Sequence, residues 1–255
     1  MSTTFGTDEP IREMRSTQAR RLRDALRVEV IERADSGEVL PSEADLAARY
    51  AVSRNTVREA LGLMRSEGLV DRRPRTGTTV VGQKATAGTD RLLALSEYVK
   101  TTDGDITNEV LAARQEKANP LVLSKLAIGN AAEVVLIERR RLVDGRPLSI
   151  DTTFIPAEFG TPLLTSDLAD TDLFHLIERQ LGVALASAIT SIEALPADPD
   201  AAALLTVSVG TPMLASSRLV LSAGDRPVAM EFVRYRHDRI VLSGQTFRSK
   251  EATNE

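Results

Sequence analysis

The sequence predicts a two-domain α+β protein, with an N-terminal winged helix-turn-helix ahead of a domain built on an antiparallel sheet. Three observations lead there. The 255 residues exceed a typical single domain and suit two. The stretch from Leu40 to Val81 reads as helix, tight turn, helix and β-hairpin, the order that holds a helix in a DNA major groove. Beyond Asp103, short apolar runs alternate with turn signals and few helices, which is the pattern of an antiparallel sheet.

Residues 1–15 are polar and predict a disordered N-terminus. The DNA-binding domain is expected over 16–82. Its first helix spans Thr17–Ala34, where Leu22, Ala25, Leu26, Val30 and Ile31 recur at roughly helical spacing and Asp35-Ser36-Gly37 supplies the stop. Pro41-Ser42-Glu43 starts a second helix, with Ser42 as cap and Leu46, Ala47 and Tyr50 inward. Ala51-Val52 makes the turn. Ser53 caps a third helix from about Arg54 to Glu67. Val57, Ala60, Leu61 and Met64 form its apolar stripe; Arg54, Asn55, Arg58 and Arg65 face away. Gly68 ends it. Leu69–Arg73 and Thr78–Val81 pair as a hairpin across Pro74-Arg75-Thr76-Gly77.

Residues 83–102 read as a linker with a short helix around Leu92–Val99. The second domain, 103–248, is expected to run strand (Ile106–Glu116), helix (Pro120–Ala127), strand (Ala132–Val143), strand (Pro147–Ile155) and two short helices (Pro162–Thr165, Asp172–Leu181). Strand (Ala184–Leu195), helix (Asp198–Leu205), strand (Met213–Ser222), strand (Pro227–Tyr235) and a last strand near Ile240–Phe247 follow. Residues 249–255 read as a disordered tail. The turns in VDGRPLSI and SAGDRPVAM resemble each other and hint at an internal duplication.

Composition narrows the chemistry. There is no Cys, so disulfides and thiol catalysis are excluded. The two histidines, His175 and His237, are too few for a His-rich metal site, and neither is assigned a catalytic role. His175 is read as a partly buried helix residue and His237 as a surface or strand-end residue. No apolar run approaches ~18 residues, and the N-terminus lacks the basic-then-apolar order of a signal peptide. A cytoplasmic protein without cofactor or metal is expected. The net charge of −4 is unevenly spread: residues 1–82 carry 14 Arg against 13 acids, whereas Arg49–Gly77 carries seven Arg against three acids. That local basic patch suits site-specific DNA binding.

The third helix offers DNA-reading groups at its N-terminal turn. Arg pairs bidentately with guanine and Asn with adenine. Arg54 and Asn55 are therefore expected on bases or adjacent phosphates, Arg58 deeper in the groove, and Ser53 and Thr56 on phosphates, with Ser42 and Glu43 also expected among the DNA-binding residues. The tip Arg75-Thr76-Gly77 is expected over a minor groove, where Arg is favoured and Gly permits close approach.

The segments LPSEADLAARYAVSRNTVREALGLMRSEGLV and RTGTTVV resemble the winged helix of the GntR family of bacterial repressors. IERRRLVDGRPLSIDTTFIP, DLFHLIERQLGV, ALLTVSVGTPMLASSRLV and GDRPVAMEFVRYRHDR resemble the UTRA effector-binding domain of its HutC subfamily, which has a chorismate lyase-like fold. The resemblance spans about Thr17 to Phe247. It departs from the family pattern in four places. Ala44 stands where a long polar residue usually contacts phosphate. Ala51 stands where glycine is common, so that turn is strained or differently closed. Asn55 replaces a Thr, which should alter the operator. The Gly-rich loop before Leu40 is shortened to Asp35–Val39.

Period-two spacing puts Val135, Ile137, Arg139, Arg141 and Val143 on one strand face, with Arg140 opposite. Two arginines among buried aliphatics need an anion. Ser149, Asp151 and Thr153 share one face of the next strand; Ala229, Glu231, Val233 and Tyr235 share one face of a later strand. These faces are expected to converge in a cleft carrying both signs of charge, with Glu231 and Tyr235 among the effector-binding residues. The resemblance implies a basic pair holding a phosphate or carboxylate and acids holding hydroxyls or amines, and Arg139, Arg141 and Asp151 match by position. Thr171, at the start of the Asp172–Leu181 helix, is a further expected contact, with Asp172 opposing it. The bland alternative is internal pairing of Arg139 or Arg141 with Asp151 or Glu231.

The resulting expectation is a homodimeric, ligand-responsive repressor that binds an inverted-repeat operator in duplex DNA and is tuned by a small anion of the sugar phosphate or carboxylate class. One alternative is a DNA-binding regulator whose second domain only dimerises. A remote alternative is a chorismate-lyase-like enzyme, for which the sequence offers no nucleophile–base pair.

Overall fold

The computed structural model describes residues 8–33, 37–81, 84–88, 92 and 105–245, and it separates into two units, Met1–Lys84 and Ala85–Glu255. The first contains α1 (Asp8–Arg33), α2 (Glu43–Arg49), α3 (Arg54–Ser66), β1 (Val70–Arg73) and β2 (Gly77–Val80). Helix α1 begins inside the segment expected to be disordered. The Asp8-Glu9-Pro10 sequence suits a helix start but carries no apolar periodicity to reveal one.

Packing of apolar stripes fixes the three helices. Leu22, Leu26 and Val30 of α1 meet Leu46 of α2 and Val57, Ala60, Leu61 and Met64 of α3, with Leu69, Val70 and Val80 closing the cluster. Burial of each of the Leu, Val and Met side chains contributes roughly 1.5–3 kcal/mol. Ala25, grouped with that stripe by spacing, is exposed. Arg23 and Arg27 reach from α1 to Glu67 at 2.5 and 2.9 Å, tying α1 to the C-terminus of α3. Ser53 caps α3 by accepting from the Thr56 amide at 3.1 Å. At its other end Gly68 takes φ +71°, and the Leu69 amide donates to the Met64 carbonyl at 3.0 Å, a Schellman closure. Ala51 adopts φ +51°, so the turn between α2 and α3 keeps the left-handed geometry and bears the strain of a side chain there.

The wing is wider than a hairpin. The 37–40 segment runs beside β2: Val39 bridges Thr79, and the Leu40 amide donates to the Thr78 carbonyl at 2.8 Å. At the tip, Pro74 and Arg75 are the central residues of a turn closed by the Thr76 amide on the Arg73 carbonyl, with Arg75 at φ +68°.

The second unit contains β3 (Ala85–Gly88), β4 (Ile106–Lys117), α4 (Pro120–Lys125), β5 (Glu133–Val143), β6 (Arg146–Pro156), α5 (Ala157–Gly160), a 3-10 turn (Thr161–Thr165) and α6 (Leu173–Leu181). It continues with β7 (Leu185–Pro196), α7 (Pro199–Leu205), β8 (Pro212–Ser222), β9 (Pro227–Arg236) and β10 (Ile240–Ser243). Six strands form one antiparallel sheet in the order β4-β5-β6-β9-β8-β7. That order reads alike from both edges because two strand–helix–strand–strand units meet at β6 and β9. Both units cap their helix with Asn119 or Asp198, place Pro120 or Pro199 next, and leave it through a left-handed residue, Ala127 or Thr206. The two turns that resemble each other in sequence join β5 to β6 and β8 to β9.

Helices α4 and α7 cover one face, packing on Val134 and Met230 and on Ile150 and Met213. Leu163, Leu168, Leu173, Phe174, Leu176 and Ile177 cover the other, against Val135, Ile137, Ile155 and Val220. Gly160 lets that covering segment touch the sheet, since a Cβ there would lie 2.5 Å from the Val135 Cβ.

Two sequence expectations change here. Residues 85–88, read as linker, form a strand parallel to β10; four residues of Ala, Thr and Gly carry too little β signal to announce it. Strand β10 is correspondingly outside the six-stranded sheet and ends at Ser243. The helix expected around 92–99 and the 249–255 tail fall outside the described residues, except that Leu92 packs on the core. No helix among the described residues is long and apolar enough to cross a membrane.

Candidate functional site

In the first unit the polar side of α3 is exposed. Arg54, Asn55 and Arg65 are exposed and make no side-chain hydrogen bond or ion pair among the described residues. Arg58 is exposed too, yet it donates to Glu43 at 3.0 Å, and Arg72 of β1 lies 4.0 Å from the same carboxylate. Glu43 thus lies between two arginines. Ser42 is taken up in capping α2, accepting from the Asp45 amide and donating to the Asp45 carboxylate.

Thr56, expected on a phosphate, is 3% exposed and its hydroxyl lies 2.8 Å from the Ser53 Oγ. It occupies the third helical position, where the cap needs a partner and the helix turns inward. Arg75, Thr76 and Gly77 are all exposed at the wing tip. Arg72 belongs to the basic patch of Arg49–Gly77, but its place in the sequence gives no sign that it stands beside Glu43.

In the second unit the expected faces coincide. Strand pairing aligns Arg139, Asp151, Val233 and Ser216 in one rung across β5, β6, β9 and β8; Ile137, Thr153, Glu231 and Arg218 form the next, and Arg141, Ser149 and Tyr235 the one beyond. The alternation of side chains puts all of these on the face covered by α6. Arg140 points to the opposite face, where it pairs with Glu109 and donates to the Leu204 carbonyl.

Arg139, Arg141, Asp151, Glu231 and Tyr235 are all buried. Arg141 pairs with Asp151 and lies 3.8 Å from Asp172. Burial would lower the Arg141 guanidinium, but Asp151, Asp172 and Glu231 reverse that and raise it. Burial and then Asp151 push the Tyr235 hydroxyl up. Arg218, missed in the sequence, pairs with Glu231 at 2.5 Å and stacks 5.2 Å over the Phe174 ring. The same period-two count that found Arg139 places Arg218 on its face.

Arg139 differs from its neighbours. No carboxylate among the described residues lies within ion-pair distance. Its Nη1 donates instead to the Leu168 and Thr171 carbonyls at 3.3 and 3.2 Å. Burial, then the like charge of Arg141, lowers its guanidinium to about 10. Thr171 therefore meets the cluster through its carbonyl, and the start of α6 is occupied by Asp172, whose carboxylate caps the helix through the Phe174 amide. His175 is exposed rather than partly buried, and His237 is an exposed residue just past β9.

Comparison with known proteins agrees with this architecture. Residues 18–80 match the bacterial regulatory proteins of the gntR family, and residues 102–241 match the UTRA domain. The chain is 31% identical over 229 residues to the HTH-type transcriptional regulator Rv0792c of Mycobacterium tuberculosis, covering 87% of this chain and 83% of that protein. It is 27% identical to the HTH-type transcriptional repressor PhnF of Mycolicibacterium smegmatis, covering 81% and 84%. The crystal structure of PhnF from Mycobacterium smegmatis superposes with a TM-score of 0.67 at 25% identity, covering 89% of this chain and all of that one. The relatives are named as regulators and not as enzymes, and the chain is a GntR-family transcription regulator whose second unit is a UTRA domain.

Proposed function

We propose that the chain is a ligand-responsive repressor that binds an inverted-repeat operator as a homodimer in the cytoplasm. Arg54, Asn55 and Arg58 read the major groove, Ser53 touches a phosphate, and Arg75, Thr76 and Gly77 approach the minor groove. The effector is a small anion of the sugar phosphate or carboxylate class.

The observation that carries this reading is Arg139: a buried guanidinium satisfied by carbonyls instead of a carboxylate. A charge-assisted bond to an anion is stronger than one to a neutral carbonyl. An entering phosphate or carboxylate competes for Arg139 against Leu168 and Thr171, and so loosens the turn leading into α6. Asp151, Glu231 and Tyr235 supply acceptors and a hydroxyl for the rest of the ligand. Affinity for DNA changes if the anion favours one arrangement of the two DNA-binding heads.

The internal pairs Arg141–Asp151 and Arg218–Glu231 favour a second reading, in which the domain dimerises and takes no effector. A thermal-shift screen of sugar phosphates and small carboxylates, followed by footprinting on the fragment upstream of the chain's own gene, separates the two. Stabilisation by an anion that also alters the footprint supports the first. A protected inverted repeat with no stabilising compound supports the second, and no protected repeat refutes both.

A further inference from the structure

A cleft separates α3 from the hairpin of the first unit, lined by Arg58, Gly62 and Arg65 on one side and by Arg72 and Thr78, opposite each other on β1 and β2, on the other. Glu43 sits between Arg58 and Arg72. Asp71 also lines the cleft, but its carboxylate folds back to accept the Arg72 amide at 2.8 Å. Positive charge is in excess, and Arg65 and Arg72 are exposed.

Gly62 is the unexpected residue. Glycine inside a helix is destabilising relative to alanine. A Cβ built at Gly62 meets no atom within 4 Å, and its φ is not in the left-handed region. Neither crowding within the chain nor backbone geometry asks for glycine here. What glycine does offer is close approach of another backbone.

With α3 in a major groove and the wing tip in the adjacent minor groove, as proposed above, the sugar-phosphate strand between the two grooves would have to pass between α3 and the hairpin, where this cleft lies. We propose that the cleft seats that strand, with Arg65 and Arg72 neutralising its phosphates and Gly62 admitting it against the bare backbone of α3. Glu43 is a positioning residue that keeps Arg72 beside Arg58 in the free protein. The inference rests on the DNA-binding reading above and extends it to residues outside the helix N-terminus and the wing tip.

The test uses the full-length protein and fluorescence anisotropy over a range of KCl, on a duplex selected from a random pool by the wild type and on an unselected duplex. Arg65→Ala and Arg72→Ala each weaken both duplexes by a similar factor, about 3–10-fold, and lower the salt slope by about 1. Gly62→Gln weakens both duplexes by roughly 10-fold while raising the thermal midpoint, so the loss does not come from unfolding. Arg54→Ala, in contrast, loses preference for the selected duplex. If the cleft variants bind both duplexes like the wild type while Arg54→Ala loses the selected one, the cleft proposal is overturned and the DNA-binding reading stands. If the wild type selects no duplex, both fall.

Discussion

Glu231 and Arg218 face each other on β9 and β8, and one carboxylate oxygen takes both Nε and Nη2 of the guanidinium, at 2.7 and 2.5 Å. Burial alone would raise the Glu231 carboxyl; Arg218 and Arg141 outweigh it and hold it below its ordinary value of 4.5. The unfolded chain then binds this proton more readily than the folded one. The stability contributed by Glu231 is complete above pH 4.5 and drains as the pH falls through the lower folded value. Glu231→Gln should lose about 1–3 kcal/mol at neutral pH, because the partly buried Arg218 loses the counter-charge that the buried carboxylate supplies. It should also flatten the acid limb of the stability profile. Urea denaturation across the acid range reads both effects; an acid limb as steep as in the wild type would take Glu231 out of this role.

Arg54→Ala should weaken a selected operator by about 5–150-fold, the equivalent of the ~1–3 kcal/mol that a good base contact supplies, and leave an unselected duplex almost unaffected. Arg58→Ala should do the same. Anisotropy on the two duplexes gives the ratio. Equal losses on both would move these residues from bases to phosphates.

Arg139→Gln should abolish anion-induced stabilisation without affecting DNA binding in the absence of anion. A stabilising anion at 100 times its Kd protects the wild type by ~2.7 kcal/mol. Differential scanning fluorimetry with that compound tests the prediction, and full protection of the variant would place the anion elsewhere.

Ala51→Gly should stabilise the first unit by roughly 0.5–1 kcal/mol. Relief of ~1–2 kcal/mol of left-handed strain exceeds the extra entropy glycine gives the unfolded chain. Chemical denaturation followed by circular dichroism measures it, and a destabilised variant would mean the Ala51 methyl packs usefully.

Gly160→Ala should cost about 1–3 kcal/mol, since the new methyl would collide with the Val135 and Ile155 side chains and force the covering segment off the sheet. An unchanged thermal midpoint would show that the segment shifts freely.

Periodicity carried most of the architecture. Val57, Ala60, Leu61 and Met64 repeat at helical spacing and are buried together; Arg139, Arg141, Asp151 and Glu231 alternate along their strands and meet on one face. Such local patterns record which side of an element faces inward, so they survive reading without coordinates. Partnership does not. Whether Arg141 meets Asp151, or Arg139 meets a carbonyl of a turn remote in sequence, depends on strand order and on where the 168–172 turn lands. The burial of Thr56 against the Ser53 hydroxyl is not legible either, because a polar residue type at a helix start serves a cap as readily as a phosphate. Strand β3 was missed because only its distant partner β10 makes it a strand.

The mirrored strand order puts the charged cluster on the line where the two strand–helix–strand–strand units meet. Arg139 and Asp151 face each other across β5 and β6 as Arg218 and Glu231 do across β8 and β9. Only the second pair closes; Arg139 turns to the carbonyls of Leu168 and Thr171. Equivalent positions of one repeated layout thus carry a closed ion pair on one side and a guanidinium held by neutral groups on the other.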